Sequence, residues 1–98
     1  MSTTIKWNRV AIKQLESLLD YISQDSEANA LKVETAILFE ITRLVKNPEI
    51  YHPDKYKINN DGSFRAFEIY SYRIAYRIRE EEIRIIRIRH TKMNPLTY

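Results

Sequence analysis

The hydrophobic period of this chain changes once, and that change constrains the fold more than any other feature. Between residues 9 and 45 apolar side chains recur at helical spacing; between 64 and 89 they alternate with polar ones. The two periods cannot belong to one kind of element, because helical neighbours sit three and four apart and strand neighbours sit two apart. Ala11, Leu15, Leu18, Leu19 and Ile22 define one helical stripe, with Asn8 placed to cap it. Ala30, Val33, Ile37, Ile41 and Leu44 define a second, widened by Leu38, Phe39 and Val45. Ser26 is placed as the second N-cap, with Glu27 in the first turn, where the helix dipole favours an acid. Asn47-Pro48 closes that helix, since proline disfavours the α conformation in the residue before it. A short antiparallel helical hairpin follows from the two stripes and the brief polar link between them.

Residues 48–63 read as a loop, with two prolines and the run Asn59-Asn60-Asp61-Gly62. Three strands are expected after it, Phe64–Tyr70, Tyr72–Arg79 and Glu82–Arg89, joined by turns near Tyr70-Ser71 and Glu80-Glu81. The middle one sets Tyr72, Ile74, Tyr76 and Ile78 against Arg73, Ala75, Arg77 and Arg79, the pattern of a strand with one face buried. In the last strand the alternation slips: Ile83 and Ile85 share one face, Ile86 and Ile88 the other. Either a bulge shifts the register or the strand is central and covered on both sides. The β-prone run Thr3–Trp7 is a candidate first strand. The expected fold is α+β, a single domain over residues 1–98 in the order β-α-α-β-β-β. A helical hairpin packs on one face of a small, mainly antiparallel sheet, and the other face, partly lined by arginine, is left open.

Charge is unevenly placed. The first fifty residues carry six Lys/Arg against seven Asp/Glu, and the remainder carries ten against six. Six of the nine arginines lie between Arg73 and Arg89. Guanidinium groups present a planar fork of donors that suits phosphate, so one basic side of a small domain is a candidate polyanion surface. The alternative is that these arginines are the solvated faces of strands. Without cysteine, disulfide scaffolds and thiolate metal sites are excluded. A single glycine excludes a Gly-rich phosphate loop. The two histidines, His52 and His90, are not at metal-ligand spacing, there is no G-x-S-x-G elbow, and Glu80-Glu81-Glu82 reads as a solvated turn. No metal and no cofactor is expected. No stretch is apolar enough to span a membrane, and Met1–Trp7 lacks the core of a signal peptide, so a cytoplasmic location is expected.

What remains is phosphodiester chemistry carried by positive charge and a phenol or imidazole, with Arg65, Arg73, His90, Lys92 and Tyr98 as candidates. Each has a plainer role available: Arg73 as the partner of Glu68 across the hairpin, His90 as a backbone hydrogen-bonding strand end, Lys92 as a solvated side chain. Seven tyrosines add stacking surface, although Tyr72 and Tyr76 fit the core.

The run Tyr72-Arg73-Ile74-Ala75-Tyr76-Arg77-Ile78, the glutamate turn, and Ile85-Ile86-Arg87-Ile88-Arg89-His90-Thr91-Lys92 resemble the RelE/ParE toxin superfamily of type II toxin–antitoxin systems, often called plasmid stabilisation proteins. The resemblance extends from Ile5 to Tyr98. It implies the same β-α-α-β-β-β fold and one of two activities. RelE-like members are metal-independent mRNA interferases, endoribonucleases that cut mRNA on the ribosome. ParE-like members inhibit DNA gyrase without known chemistry, and an inactive antitoxin-binding module is a third outcome. On the ribonuclease pattern the catalytic set is Arg73, Lys92, Tyr98 and His90, with Arg65, Arg77, Arg87 and Arg89 binding RNA. The chain departs from that pattern before Arg73: the ribonucleases place lysines there, whereas no lysine occurs between Asn59 and Thr91. Lys55 and Lys57 lie in the preceding loop. The resemblance also implies a cognate antitoxin as partner, plus ribosome and mRNA, or gyrase.

Overall fold

The computed structural model describes residues 3–98. Met1 and Ser2, counted in the expected domain, lie outside the described residues. The elements run β1 (Thr4–Trp7), α1 (Arg9–Ser23), α2 (Glu27–Leu44), β2 (Phe64–Ile69), β3 (Tyr72–Arg79) and β4 (Glu82–His90). The sheet order is β1-β4-β3-β2. β2–β3 and β3–β4 are antiparallel hairpins, while β1 lies parallel to β4, from Thr4↔Glu82 to Trp7↔Ile85.

Both explanations of the slipped alternation in β4 hold. The strand is interior, between β1 and β3, and its ladder with β3 shifts register: Ala75 faces Arg87 but Tyr76 faces Ile85, which leaves Ile86 as the extra residue of a β-bulge. Two alternations of opposite phase are thereby joined. Ile83, Ile85 and Ile88 are all buried on the helix side, while Arg84, Arg87 and Arg89 pair with Arg77, Ala75 and Arg73 on the other.

The core lies between that sheet face and the helical hairpin. Ala11 and Leu18 of α1 and Val33, Ile37, Ile41 and Leu44 of α2 are buried against Phe67, Tyr72, Ile74, Tyr76 and the three isoleucines of β4. Ser26 caps α2 by accepting from the Asn29 amide (3.1 Å). Asn8 occupies the N-cap position of α1 without capping it; its Oδ1 accepts from Arg84 Nη1 (3.2 Å) instead. Leu38 and Phe39 do not widen the buried stripe of α2 but are exposed, because α2 touches the core along one face only. No helix among the described residues is long and apolar enough to cross a membrane.

Candidate functional site

The sheet face away from the helices is not open. Two segments without regular structure converge on it, and a buried acid joins them. The loop after α2 crosses the outer edge of β2: the Asp54 amide donates to the Phe64 carbonyl (2.8 Å), the Ala66 amide to that of His52 (3.3 Å), and Pro53 bridges Arg65. Asn60 locks the return of that loop. Its Nδ2 donates to the Phe64 carbonyl (2.8 Å) and its Oδ1 accepts from the amides of Gly62 and Phe64. Gly62, at φ +96°, supplies a backbone angle there that a side chain would strain. Asp54 is thereby carried inward until only 2% of it is exposed.

The second segment is the stretch after β4. Tyr98 pairs with the loop in strand fashion, its amide donating to the Tyr56 carbonyl (3.0 Å) and its carbonyl accepting from Ile58 (2.6 Å). Arg89 Nη2 donates to the Asn94 carbonyl (2.8 Å) and Arg87 Nη2 to that of Leu96, so two arginines of β4 hold the segment down. The Tyr98 ring lies with the Arg87 guanidinium over its face (4.1 Å) and meets Phe64 edge-on.

Asp54 is the hub of this arrangement. Its Oδ1 accepts from Arg73 Nη2 (2.8 Å) and the Tyr56 amide (3.1 Å), and its Oδ2 from the Tyr98 hydroxyl (2.7 Å). Arg73 donates its other terminal nitrogen to Glu68 (2.9 Å), its cross-strand partner, and lies over the Tyr56 ring. Burial opposes the charge on Asp54, but the hydrogen bonds from Arg73, Tyr98 and the Tyr56 amide outweigh it and hold the carboxyl below the usual carboxylate range. Burial also opposes the charge on Arg73, and its two carboxylate partners outweigh that in turn. The Tyr98 phenol is pushed well above its ordinary value, first by burial and then by its bond to the Asp54 carboxylate. A phenol in that state holds its proton and does not accept one near neutral pH.

The expected site residues divide. Arg73, Arg87, Arg89 and His90 line one cavity of about 70 Å³, and Tyr98 joins Arg73 through Asp54. Arg77 lies over Phe64 (4.6 Å) and donates to Ser63 Oγ (3.2 Å), farther along the same face. Arg65 is opposite Tyr76 on the ladder, hence on the helix side, and donates to the backbone carbonyls of Tyr51 (2.7 Å) and Gly62 (3.2 Å). His90 is opposite Tyr72, edge-on to its ring, and its Nδ1 accepts from the Lys92 amide (3.0 Å). The Lys92 side chain is exposed in the turn beyond β4 and is not part of the cavity wall. Asp54 had no sequence signal beyond being an acid in a basic, aromatic loop segment, His52–Lys57. Among the described residues no three His, Asp or Glu are grouped to hold a metal ion.

A family model described as the ParE toxin of type II toxin–antitoxin system, parDE, matches residues 5–95. The chain belongs to the ParE toxin family. Its backbone is similar to the chromosomal ParDE toxin–antitoxin system from P. aeruginosa, with TM-score 0.72, 24% identity, and coverage of 93% of this chain and 98% of that one. It is also similar, at TM-score 0.60 and 19% identity, to the toxin–antitoxin complex RelBE2 from Mycobacterium tuberculosis, covering 92% of this chain and 99% of that one. No curated protein sequence matches it. The two structures bear out the α+β fold read from the sequence, and the family match bears out the superfamily resemblance.

Proposed function

We propose that this ParE-family toxin acts by occupying the surface of a large target, DNA gyrase being the class the family resemblance implies, and that it does not cut RNA. The observation that carries this reading is the state of Asp54. One buried carboxylate engages both groups on which a ribonuclease reading depends most. The Arg73 fork is closed on one side by Asp54 and on the other by Glu68, so it has no free pair of donors for a scissile phosphate. The Tyr98 hydroxyl is a donor to the same carboxylate and is held protonated. Lys92, the third member of that set, stands apart from the cavity.

The ribonuclease reading keeps one observation in its favour. Arg87 and Arg89 have no carboxylate within salt-bridge distance among the described residues, and they lie beside Arg73 and His90. In that reading Arg73, His90, Lys92 and Tyr98 would act on RNA bound by Arg65, Arg77, Arg87 and Arg89, after residues 93–98 had been displaced. The partner under either reading is a cognate antitoxin. An acidic segment that folds on binding suits the basic face and the unpaired outer edge of β1. Both targets are cytoplasmic, the compartment expected from the sequence.

Two assays on the purified chain separate the readings. Inhibition of gyrase supercoiling, with unchanged primer-extension patterns on translated mRNA, is the expected result. Codon-linked cleavage that disappears in Arg73→Ala, with supercoiling untouched, would overturn it.

A further inference from the structure

Helix α2 carries two apolar stripes, and the fold buries only one. Ala30, Val33, Ile37, Ile41 and Leu44 turn inward. Leu31 and Leu38, seven positions apart, lie on the outer side, 63% and 40% exposed, and Phe39 beside them is 63% exposed. Ala28, Thr35 and Thr42 complete the series. From 28 through 31, 35 and 38 to 42 the steps alternate three and four, the spacing of a coiled-coil seam. No charged residue interrupts it. The Thr42 hydroxyl donates to the Leu38 carbonyl (2.9 Å), so it is already satisfied within the helix. An exposed apolar stripe bounded by charge marks a protein contact.

The charges say which protein fits. Glu27 and Glu34 follow one flank of the seam; Lys32 and, just past the helix end, Lys46 follow the other. None of the four has a salt-bridge partner among the described residues, whereas Arg43, farther round the helix, is taken by Glu40 (3.0 Å). Two copies of α2 running in the same direction set the acidic flank of each against the basic flank of the other. Glu27 then meets the other copy's Lys32, five positions on, as flanking residues do in parallel coiled coils. Reversing one copy sets each flank against its own kind. The seam residues agree: β-branched Thr35 and Thr42 at one core position and Leu31 and Leu38 at the other is the pattern that selects two parallel strands.

We infer that this face of α2 binds a second copy of the chain, the two helices lying side by side and parallel about a two-fold axis. The 18 residues of α2 give a contact about 27 Å long. One helix pair buries less than a standard interface, so the dimer is reversible and depends on concentration. The flanking charges set its direction more than its strength, since exposed ion pairs contribute little. The seam is on the helical layer, across the sheet from Asp54 and Arg73. The dimer therefore leaves that face open on both copies, whether gyrase or RNA is the target.

The test is sedimentation equilibrium of the purified chain over a rising concentration series. The expected result is an average mass that climbs from one chain toward two and no further. Leu38→Glu, on the exposed face, should weaken association about tenfold or more with an unchanged circular dichroism spectrum. Lys32→Glu should weaken it as well, and Glu27→Lys in the same chain should restore it. Direction is read with cysteine, of which the chain has none. Ala28→Cys and Thr42→Cys each place a thiol near one end of the seam, about 21 Å apart. Under a mild oxidant each variant alone should form a disulfide-linked dimer, because parallel copies bring like positions within bridging distance. Glu16→Cys, exposed on α1, should not. Linkage only when the two variants are mixed means antiparallel copies and overturns the proposal. A chain that stays monomeric throughout also overturns it and leaves the seam to a different protein, as does a Leu38→Glu variant that associates like the parent.

Discussion

Replacing Asp54 by asparagine is the sharpest probe of the clasp, because it removes charge and little else. The amide can still offer Oδ1 to Arg73 and the Tyr56 N–H, while Nδ2 donates to Tyr98, whose hydroxyl turns from donor to acceptor. What is lost is the charge assistance on two short bonds, from Arg73 (2.8 Å) and Tyr98 (2.7 Å). A bond to a charged group contributes about 1 kcal/mol more than a neutral one, so the two together give about 2 kcal/mol. That is less than the roughly 3–5 kcal/mol for breaking a fully buried pair. The difference is expected, because Arg73 is 19% exposed and keeps Glu68, itself 52% exposed. For a domain of this size the change lowers the thermal midpoint by about 10 °C. The pH dependence fixes the cause. Asp54 has a folded-state pKa below its unfolded one, so its contribution is complete above about pH 4 and fades as pH falls through the folded value. Urea unfolding at several pH values should therefore show the parent and Asp54→Asn far apart at neutral pH and converging in acid. A neutral-pH gap below about 0.5 kcal/mol, the range of an ordinary surface substitution, would refute the reasoning, as would a gap that widens in acid.

Three further substitutions test neighbouring parts. Tyr98→Phe leaves Asp54 Oδ2 without its donor and should cost about 1–2 kcal/mol in urea unfolding. In the parent the folded state keeps the Tyr98 proton after the unfolded chain has lost it, so stability falls as pH rises through about 10, and the phenylalanine variant should show a shallower alkaline fall. Tyr76→Phe removes the bond to the Pro48 carbonyl (2.7 Å) that anchors the start of the loop, with an expected loss of about 1 kcal/mol. Burial has pushed the Tyr76 phenol up to about 12, so an ultraviolet pH titration should lose one late-ionising tyrosine in that variant. Glu81→Gly should raise stability by up to about 1 kcal/mol, because Glu81 holds φ +59° in the β3–β4 turn, a conformation that disfavours a side chain; an unchanged or lower urea midpoint would count against it.

The element order was legible because each element carries its own period. Ser26 as cap and Arg73 facing Glu68 were also legible, since each needs only local spacing or one hairpin register. The outward turn of Phe39 was not, because apolar character alone does not say where a second layer ends. Asp54 was invisible for a different reason. Its burial depends on partners 19 and 44 positions away, brought together by a loop without periodicity and a segment that follows the last strand. Arg65 and Arg77 looked equivalent to Arg73 in the alternating pattern. Only the pairing of β2 with β3 assigns Arg65 to the helix side and Arg77 to a ring-stacked place on the outer face.

The extra residue at Ile86 gives β4 two independent duties. Ahead of it, the strand keeps step with β1; beyond it, the Arg87 and Arg89 side chains hold the segment that ends at Tyr98. If Ile86 instead took its turn in the ladder without a bulge, the chemistry would be wrong: Ile88 would turn outward, and Arg87 and Arg89 would be driven among the buried side chains of the helical layer. Setting one peptide unit aside in a bulge thus decides which face of this strand carries its row of cations.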